Sequence, residues 1–507
     1  MTKTTTIRKL TLFVLVCILL AACSSQAPIA VYITPTVQSS AALVTPTDFA
    51  SGSSNEFALT SMQAISTDEP HPTVTWLGPV IGPGYTLPAT STPVPTVAPT
   101  TVPGQPSATP APSATPQPNN AASEVTIPGG LPTLDPSKMG VQLEGNLEQA
   151  DWDEAMRRVG SDQLDTGWIK IQIGWKDMQP NGPTDESDFF KRVILYLQDA
   201  KRRQLHILLS IAKAPAWARS TQDQDGPPDD PQTYANFLTF LLQQVNAGAT
   251  NPVIDAIEIW NEPNLALEWT GKLPFSGTGY MQLFKPAYAA IRAFSSSITI
   301  VTAGLSPTGT TAATVDDRTF LQQMYAAGLG SYHDIAIGVH PYGWANAPDA
   351  TCCSNTGWDN DPHFFFMDTL NTYRQMMVAN GQTNQQLWPT EFGWPTWDGM
   401  PGQPPAADAW ILRNTKWNQA NYAIRAFQIG QQTPYIGPMF LWNLNFALLA
   451  GLVQNGDERA AYSIVIPGAN EVLNPNQKIN GQQGTTERPL YWMIYDAVRP
   501  NTTLPSY

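Results

Sequence analysis

Eight short apolar runs, separated by stretches with helical spacing, fill the chain from about residue 131 onward. The runs are 141–143, 168–175, 206–212, 256–260, 298–303, 335–340, 387–391 and 439–443. Between them lie amphipathic segments. In 188–203 the apolar set is Phe189, Val193, Leu195, Leu197 and Ala200. In 280–294 it is Met281, Phe284, Tyr288, Ile291 and Phe294, spaced mostly by three and four. Segments 234–245, 320–327, 365–378, 410–429 and 490–498 have the same texture. Strand–helix alternation demands parallel pairing, because two parallel strands must be joined by a crossover. Eight units in about 370 residues predict an α/β fold, a closed (β/α)8 TIM barrel over 131–507. An open doubly wound sheet is the rival. It is weakened because no glycine-rich phosphate loop follows an early strand.

The chain before residue 131 has a different character. Lys3, Arg8 and Lys9 precede an apolar run of eleven residues, LTLFVLVCILL, too short to cross a bilayer comfortably. Residues 1–22 therefore read as an export signal. The stretch LAAC, ending at Cys23, resembles the lipobox of bacterial lipoproteins. That resemblance implies cleavage before Cys23 and lipid attachment to it. An ordinary signal peptide that happens to carry a cysteine is the alternative. Residues 23–130 read as a disordered Pro/Thr/Ser-rich tether. No Lys or Arg occurs between Lys9 and Lys138, and residues 91–118 hold nine prolines in 28 positions. Such a segment cannot bury enough apolar surface to offset its ordering entropy, and it extends as a semi-rigid spacer.

The net charge of −14 argues against nucleic acid as a partner. Sixteen Trp and sixteen Tyr suit either a packed core or flat platforms for sugar rings. Of the four cysteines, Cys17 leaves with the signal and Cys23 takes lipid, which leaves the adjacent pair Cys352 and Cys353. In an exported protein these form a vicinal disulfide, or stay as free or intermolecular thiols. With no CxxC pair and no HExxH, neither a metal nor a cofactor is expected.

In a (β/α)8 barrel the carboxyl ends of the strands carry the chemistry. The fourth run ends in Trp260-Asn261-Glu262-Pro263-Asn264 and the sixth in His340-Pro341-Tyr342. The seventh ends in Pro389-Thr390-Glu391-Phe392-Gly393-Trp394 and the eighth in Trp442-Asn443. IEIWNEPN, followed 129 residues later by LWPTEFGW, resembles the clan A retaining glycoside hydrolases. WNEPN is similar to family 39 glycosidases and their bacterial relatives, and APAWA and HPYG add to the likeness.

The resemblance implies an acid/base Glu262 and a nucleophile Glu391. Glycoside hydrolysis needs such a pair: one acid protonates the leaving oxygen while the other attacks the anomeric carbon, about 5–5.5 Å away. Glu262 would be protonated near neutrality through repulsion from an ionised Glu391. Also by resemblance, Asn261 would bind the sugar 2-hydroxyl and Tyr342 would donate to Glu391. His340 would line the site, and Trp442 would form its floor. Lys170 stands where many clan members carry Arg, and lacks that fork.

Each residue also has a plainer role. Glu262 could cap the following segment, Glu391 could serve a structural ion pair, His340 could be a satisfied interior histidine, and Trp442 could be core. Trp175, Trp217, Trp394 and Trp397 are further rim candidates. Glu144 and Glu268 are acids for subsites or for solvated loops, and the Cys352–Cys353 loop is a candidate border of the groove.

The expected function is a surface-tethered retaining glycosidase, acting on an oligo- or polysaccharide with β-linkages. It would be held by lipid at the bacterial cell envelope. The competing readings are an inactive glycan-binding barrel, a structural head on a spacer, and a cofactor-dependent barrel enzyme. If the lipobox reading holds, Cys23→Ala moves the chain from the membrane fraction to the soluble fraction, because several acyl chains, at roughly 0.8 kcal/mol per buried CH₂, no longer hold it.

Overall fold

The computed structural model describes residues 131–353, 360–449, 451–468 and 485–499. The signal 1–22, Cys23 and the tether 23–130 lie outside the described residues.

The strands are β1 Met139–Glu144, β2 Trp168–Gly174, β3 His206–Ala212, β4 Ala256–Ile259, β5 Thr299–Thr302, β6 Ile335–Val339, β7 Leu387–Pro389 and β8 Met439–Leu441. They pair side by side in the order β7-β6-β5-β4-β3-β2-β1-β8, with every registered pair parallel. β7 and β8 meet through the bridges Leu387–Ile436 and Phe392–Leu441. The Phe392 N–H donates to the Phe440 carbonyl at 3.1 Å, and the Trp442 N–H to the Phe392 carbonyl at 2.9 Å. The sheet thus closes on itself, and the expected (β/α)8 barrel is the fold.

Among the described residues, eight helices of nine residues or more surround it: α1 Gln149–Val159, α2 Asp188–Arg202, α3 Pro231–Val245, α4 Gly277–Phe294, α5 Asp317–Ala326, α6 Phe366–Ala379, α7 Lys416–Gln432 and α8 Pro489–Ala497. Local chemistry starts several of them. Ser187 caps α2 by accepting from the Phe190 N–H, and Asp230 with Pro231 opens α3. Thr415 and Asn418 form a reciprocal capping box on α7.

Three details differ from the sequence reading. Helix α1 is unannounced, because its apolar stripe is thin: Trp152, Ala155, Met156 and Val159 share their buried face with the ion pair Arg158–Glu154 at 2.8 Å. The stretch 410–429 is not one helix. A 3-10 segment ends at Arg413, and the capped α7 starts afresh at Lys416. Leu195 is 60% exposed; the buried face of α2 is Phe190, Val193, Tyr196, Leu197 and Ala200.

Strand side chains alternate between barrel interior and helix layer. Ile169, Ile171, Ile207, Leu209, Ile257, Ile259, Ile300, Ile337 and Val339 belong to the large core shared with the helices. Trp168, Leu208, Ala256, Val301, Ala336, Trp388 and Phe440 form a separate apolar cluster inside the ring. Gly140 makes room for it, since a Cβ there would lie 2.5 Å from the Phe440 ring and 3.0 Å from Trp168 Cβ. Two residues further along the strands, the same face carries Gln142, Lys170, Ser210, Glu258, Thr390 and Trp442, all buried. An apolar plug therefore underlies a polar floor.

Arg488, which precedes α8, locks the mouth from outside. Its guanidinium donates to the carbonyls of Ala461, Ser463, Thr396 and Asp398 at 2.8–3.0 Å. Burial pushes it down to about 9. Arg488→Ala strips buried carbonyls of their donors and should cost about 3 kcal/mol or more, read from the urea midpoint; a loss below about 1 kcal/mol would contradict this role.

Candidate active site

Two acids reach the mouth from the polar floor. Glu258, on β4, lies 3.0 Å from the Lys170 ammonium, and the Gly304 N–H donates to its Oε1 at 3.1 Å. Lys170 Nζ also donates to Glu391 Oε1 at 2.9 Å, so one fully buried ammonium joins two carboxylates. Burial works against its charge, but Glu258 and Glu391 more than offset this and raise its pKa.

Glu391 follows β7. Its other oxygen, Oε2, accepts from the Tyr342 hydroxyl at 2.9 Å. The Gln142 amide, in the orientation its neighbours require, donates to Oε1 at 2.9 Å and accepts from the Trp442 indole at 3.3 Å. Burial alone would raise the Glu391 carboxyl. Lys170 and His340 outweigh it, and the net shift is below the ordinary value.

Glu262 comes from the loop after β4. Trp260 and Glu262 both adopt left-handed backbone, at φ 74° and 42°, a costly region for such residues. The surroundings hold it there. The Glu262 N–H donates to the Gly304 carbonyl at 3.0 Å, and the Trp260 indole to the Glu268 carbonyl at 3.1 Å. Asn264 staples the loop to the one after β5, donating to the Ser306 and Val315 carbonyls and accepting from the Ser306 N–H. The Glu262 side chain is thereby turned towards His340.

His340 is the link between the two acids. Its Nδ1 lies 3.1 Å from Glu262 Oε1 and 3.8 Å from Glu391 Oε2. These two oxygens are therefore no more than about 7 Å apart, since both distances share one atom. Burial disfavours the imidazolium, but Glu391 and Glu262 prevail and the pKa is raised. Gly304 must lack a side chain, because a Cβ would lie 2.2 Å from the His340 ring.

The remaining expected residues fall in the same place. Asn261 is 5% exposed, and its Oδ1 has no hydrogen-bond partner among the described residues. Trp442 packs on Tyr462, Tyr342 and Phe446 with ring centroids 4.9–6.1 Å apart. Glu262, Glu391, His340, Tyr342 and Trp442 are thus connected through contacts, and Asn261 is the neighbour of Glu262. Of the rim tryptophans, Trp175 and Trp394 are core residues at 0% and 1% exposure. Trp397 packs in the cluster that holds Tyr342 and Trp442, and Trp217 is half-buried. Glu268 is no solvated loop acid: it is buried, and burial against the pull of Lys213 lifts it to about 7. Glu144 is half-buried and also raised by burial. Cys352 and Cys353 are bonded to each other.

Sequence reasoning passed over Glu258, Gln142 and Glu458. Glu258 had a signal, a charge inside the apolar run AIEIW, on the same strand face as Ala256. Glu458 is buried in a one-turn helix after β8, with one carboxylate oxygen unpartnered and its pKa well above the ordinary value through burial.

A closed (β/α)8 barrel with paired glutamates at the carboxyl ends of β4 and β7 defines the architecture. No protein-family model matches the sequence, and no curated protein matches it. Solved structures that resemble the chain include a family 39 glycoside hydrolase from the gut symbiont Bacteroides cellulosilyticus WH2, at 15% identity and a TM-score of 0.49. The match covers 73% of this chain and 66% of that one. The catalytic domain of GH30 xylanase C from Talaromyces cellulolyticus matches at 18% identity and TM-score 0.42, over 71% and 74% of the two chains. The Ignisphaera aggregans GH53 catalytic domain matches at 14% and 0.44, over 74% and 98%. At these identities and scores the likenesses carry nothing about chemistry, which has to come from the site itself.

The charged trio makes a signed prediction. Glu391 is held below its ordinary 4.5, so its stabilisation is complete above that pH and is lost as pH falls through the folded value. His340 is held above 6.5, so its stabilisation is complete below that pH and is lost as pH rises through the folded value. Lys170→Met leaves two buried carboxylates uncompensated and should cost roughly 3–5 kcal/mol near pH 7. Without Lys170 the folded pKa of Glu391 rises, so the variant should recover stability as pH falls towards 5. Urea midpoints across pH read both effects, and a variant with the wild-type acid limb would refute the assigned charge pairing.

Proposed function

We propose that the protein is a retaining glycosidase that hydrolyses β-linked O-glycosidic bonds of an oligo- or polysaccharide. One observation carries the reading: a single buried imidazole touches both strand-end carboxylates, which bounds their oxygens within about 7 Å. Several details favour double displacement over direct attack by water. Glu391 is kept ionised by Lys170 and oriented by the Tyr342 hydroxyl, as a nucleophile must be. Glu262 faces His340, a group that can take and return a proton.

In this reading Glu262 protonates the departing oxygen while Glu391 attacks the anomeric carbon. A glycosyl ester forms on Glu391. Glu262, now ionised, takes a proton from water, and the water cleaves the ester with net retention. Asn261 offers its unpartnered Oδ1 to a sugar hydroxyl, and Trp442 packs beneath the ring. The chain would act at the bacterial cell envelope, exported and tethered by lipid on Cys23 with 23–130 as a spacer. The signal and lipobox residues support that placement.

Aryl glycosides and a 2-fluoro-sugar ester test the chemistry on the isolated chain. Glu391→Gln should abolish turnover, and the fluoro-sugar should label the peptide containing Glu391. Glu262→Ala should lose about 10²–10⁴ in rate on poor leaving groups and far less on activated ones. Unchanged turnover in Glu391→Gln, or labelling elsewhere, would remove the assignment and leave the inactive glycan-binding barrel.

A further inference from the structure

We propose that Asp316, Asp317 and His363 hold a divalent first-row metal ion, zinc by preference, that braces the loops following β5 and β6. The three come from separate places. Asp316 caps α5, Asp317 is its first residue, and His363 lies 47 residues beyond Asp316, in the loop before α6. His363 Nε2 lies 2.9 Å from Asp316 Oδ2 and 3.2 Å from Asp317 Oδ1, and the three ligand atoms sit within 4.8 Å of one another. Ligands about 2.0–2.1 Å from a tetrahedral zinc stand roughly 3.3 Å apart, close to the two histidine–aspartate spacings.

Proton accounting makes the case. One ring nitrogen faces two carboxylates, yet carries at most one hydrogen. Asp317 is 0% exposed; its contacts are the His363 ring, 3.2 Å from Oδ1, and the Tyr373 hydroxyl, and neither is a well-aligned hydrogen bond. A cation between these atoms satisfies them together. The far side of the ring fits as well. His363 Nδ1 meets Asp361 Oδ1, the carboxylate–histidine contact that fixes the tautomer and leaves Nε2 free to ligate. Asp316 spends Oδ1 on the Thr319 N–H, which answers the positive end of α5, and keeps Oδ2 for the site. An imidazole with two carboxylates suits zinc or another first-row ion better than calcium, which prefers an all-oxygen shell.

The site is separate from the paired glutamates but braces the chain beside them. The Asp317 N–H donates to the Thr308 carbonyl, Val315 N–H to Asn264, and Ala266 N–H to Ala313. The ion would thus pin the strip that pairs with the chain just after Glu262. No spacing motif announces such a site, because the ligands come from two loops.

The test uses the full chain, purified without chelators. Elemental analysis should find about one zinc per chain. Chelation should lower the melting temperature, and zinc, but not magnesium, should restore it. Cobalt should give a visible d–d band. His363→Gln and Asp317→Asn should each lose the metal, the band and the response to chelator. Wild-type protein with less than about 0.1 metal per chain and no melting shift on zinc addition would overturn the proposal and leave an imidazolium–aspartate network. Full metal content in both variants would overturn it equally.

Discussion

A single ammonium inside the barrel organises the mouth. Lys170 rises from β2 above the apolar plug and meets Glu258 and Glu391 at 3.0 and 2.9 Å. Isolated charges in such an interior would carry a large desolvation penalty. Together they are tolerable, because each carboxylate has its countercharge and further hydrogen bonds: Gly304 N–H on Glu258, Tyr342 on Glu391. The arrangement also sets direction. With one Glu391 oxygen held by Lys170 and the other by Tyr342, the carboxylate can turn little. Lysine here is a point charge and not a fork, so Tyr342 and Gln142 supply the orientation that arginine could have given alone.

Loops on adjacent strands position the partner acid. Glu262 sits on strained backbone, and its fixed direction depends on the loop after β5 through Gly304, Ser306 and Val315. Gly304 has a double part. Its carbonyl accepts from Glu262, and its missing side chain admits His340. The two acids then meet at the same ring nitrogen, Nδ1 of His340, at 3.1 and 3.8 Å. Site geometry is in this sense distributed over β1, β2, β4, β5, β6, β7 and β8, which a closed barrel alone brings to one rim.

Much of this was legible beforehand, and the exceptions share a cause. All eight barrel strands lie where apolar runs were found, because parallel strands buried on both faces read as near-continuous apolar runs. WNEPN and TEFGW stood at strand ends, so Glu262, Glu391, His340, Tyr342 and Trp442 could be placed at the carboxyl rim from order and spacing, while the roles expected of them came from the resemblance. Helix α1 escaped notice because an ion pair takes up part of its buried face. Glu268 was open to reading as a loop acid, since burial of a loop residue depends on what folds over it. The rim tryptophans Trp175 and Trp394 proved to be core, because position along a strand does not tell which side of the wall a ring will choose.

The sequence by itself determined the alternation that forces a parallel sheet, the residues at its carboxyl edge, and the net acidity of the chain. These follow from local spacing and composition, which need no third dimension. Only the tertiary structure decided which charges meet. Lys170 with Glu258 and Glu391, His340 between two acids, and His363 among aspartates are all contacts between distant segments. Their electrostatics depend on distances of 3–4 Å and on exclusion of water, and neither exists until the barrel has closed.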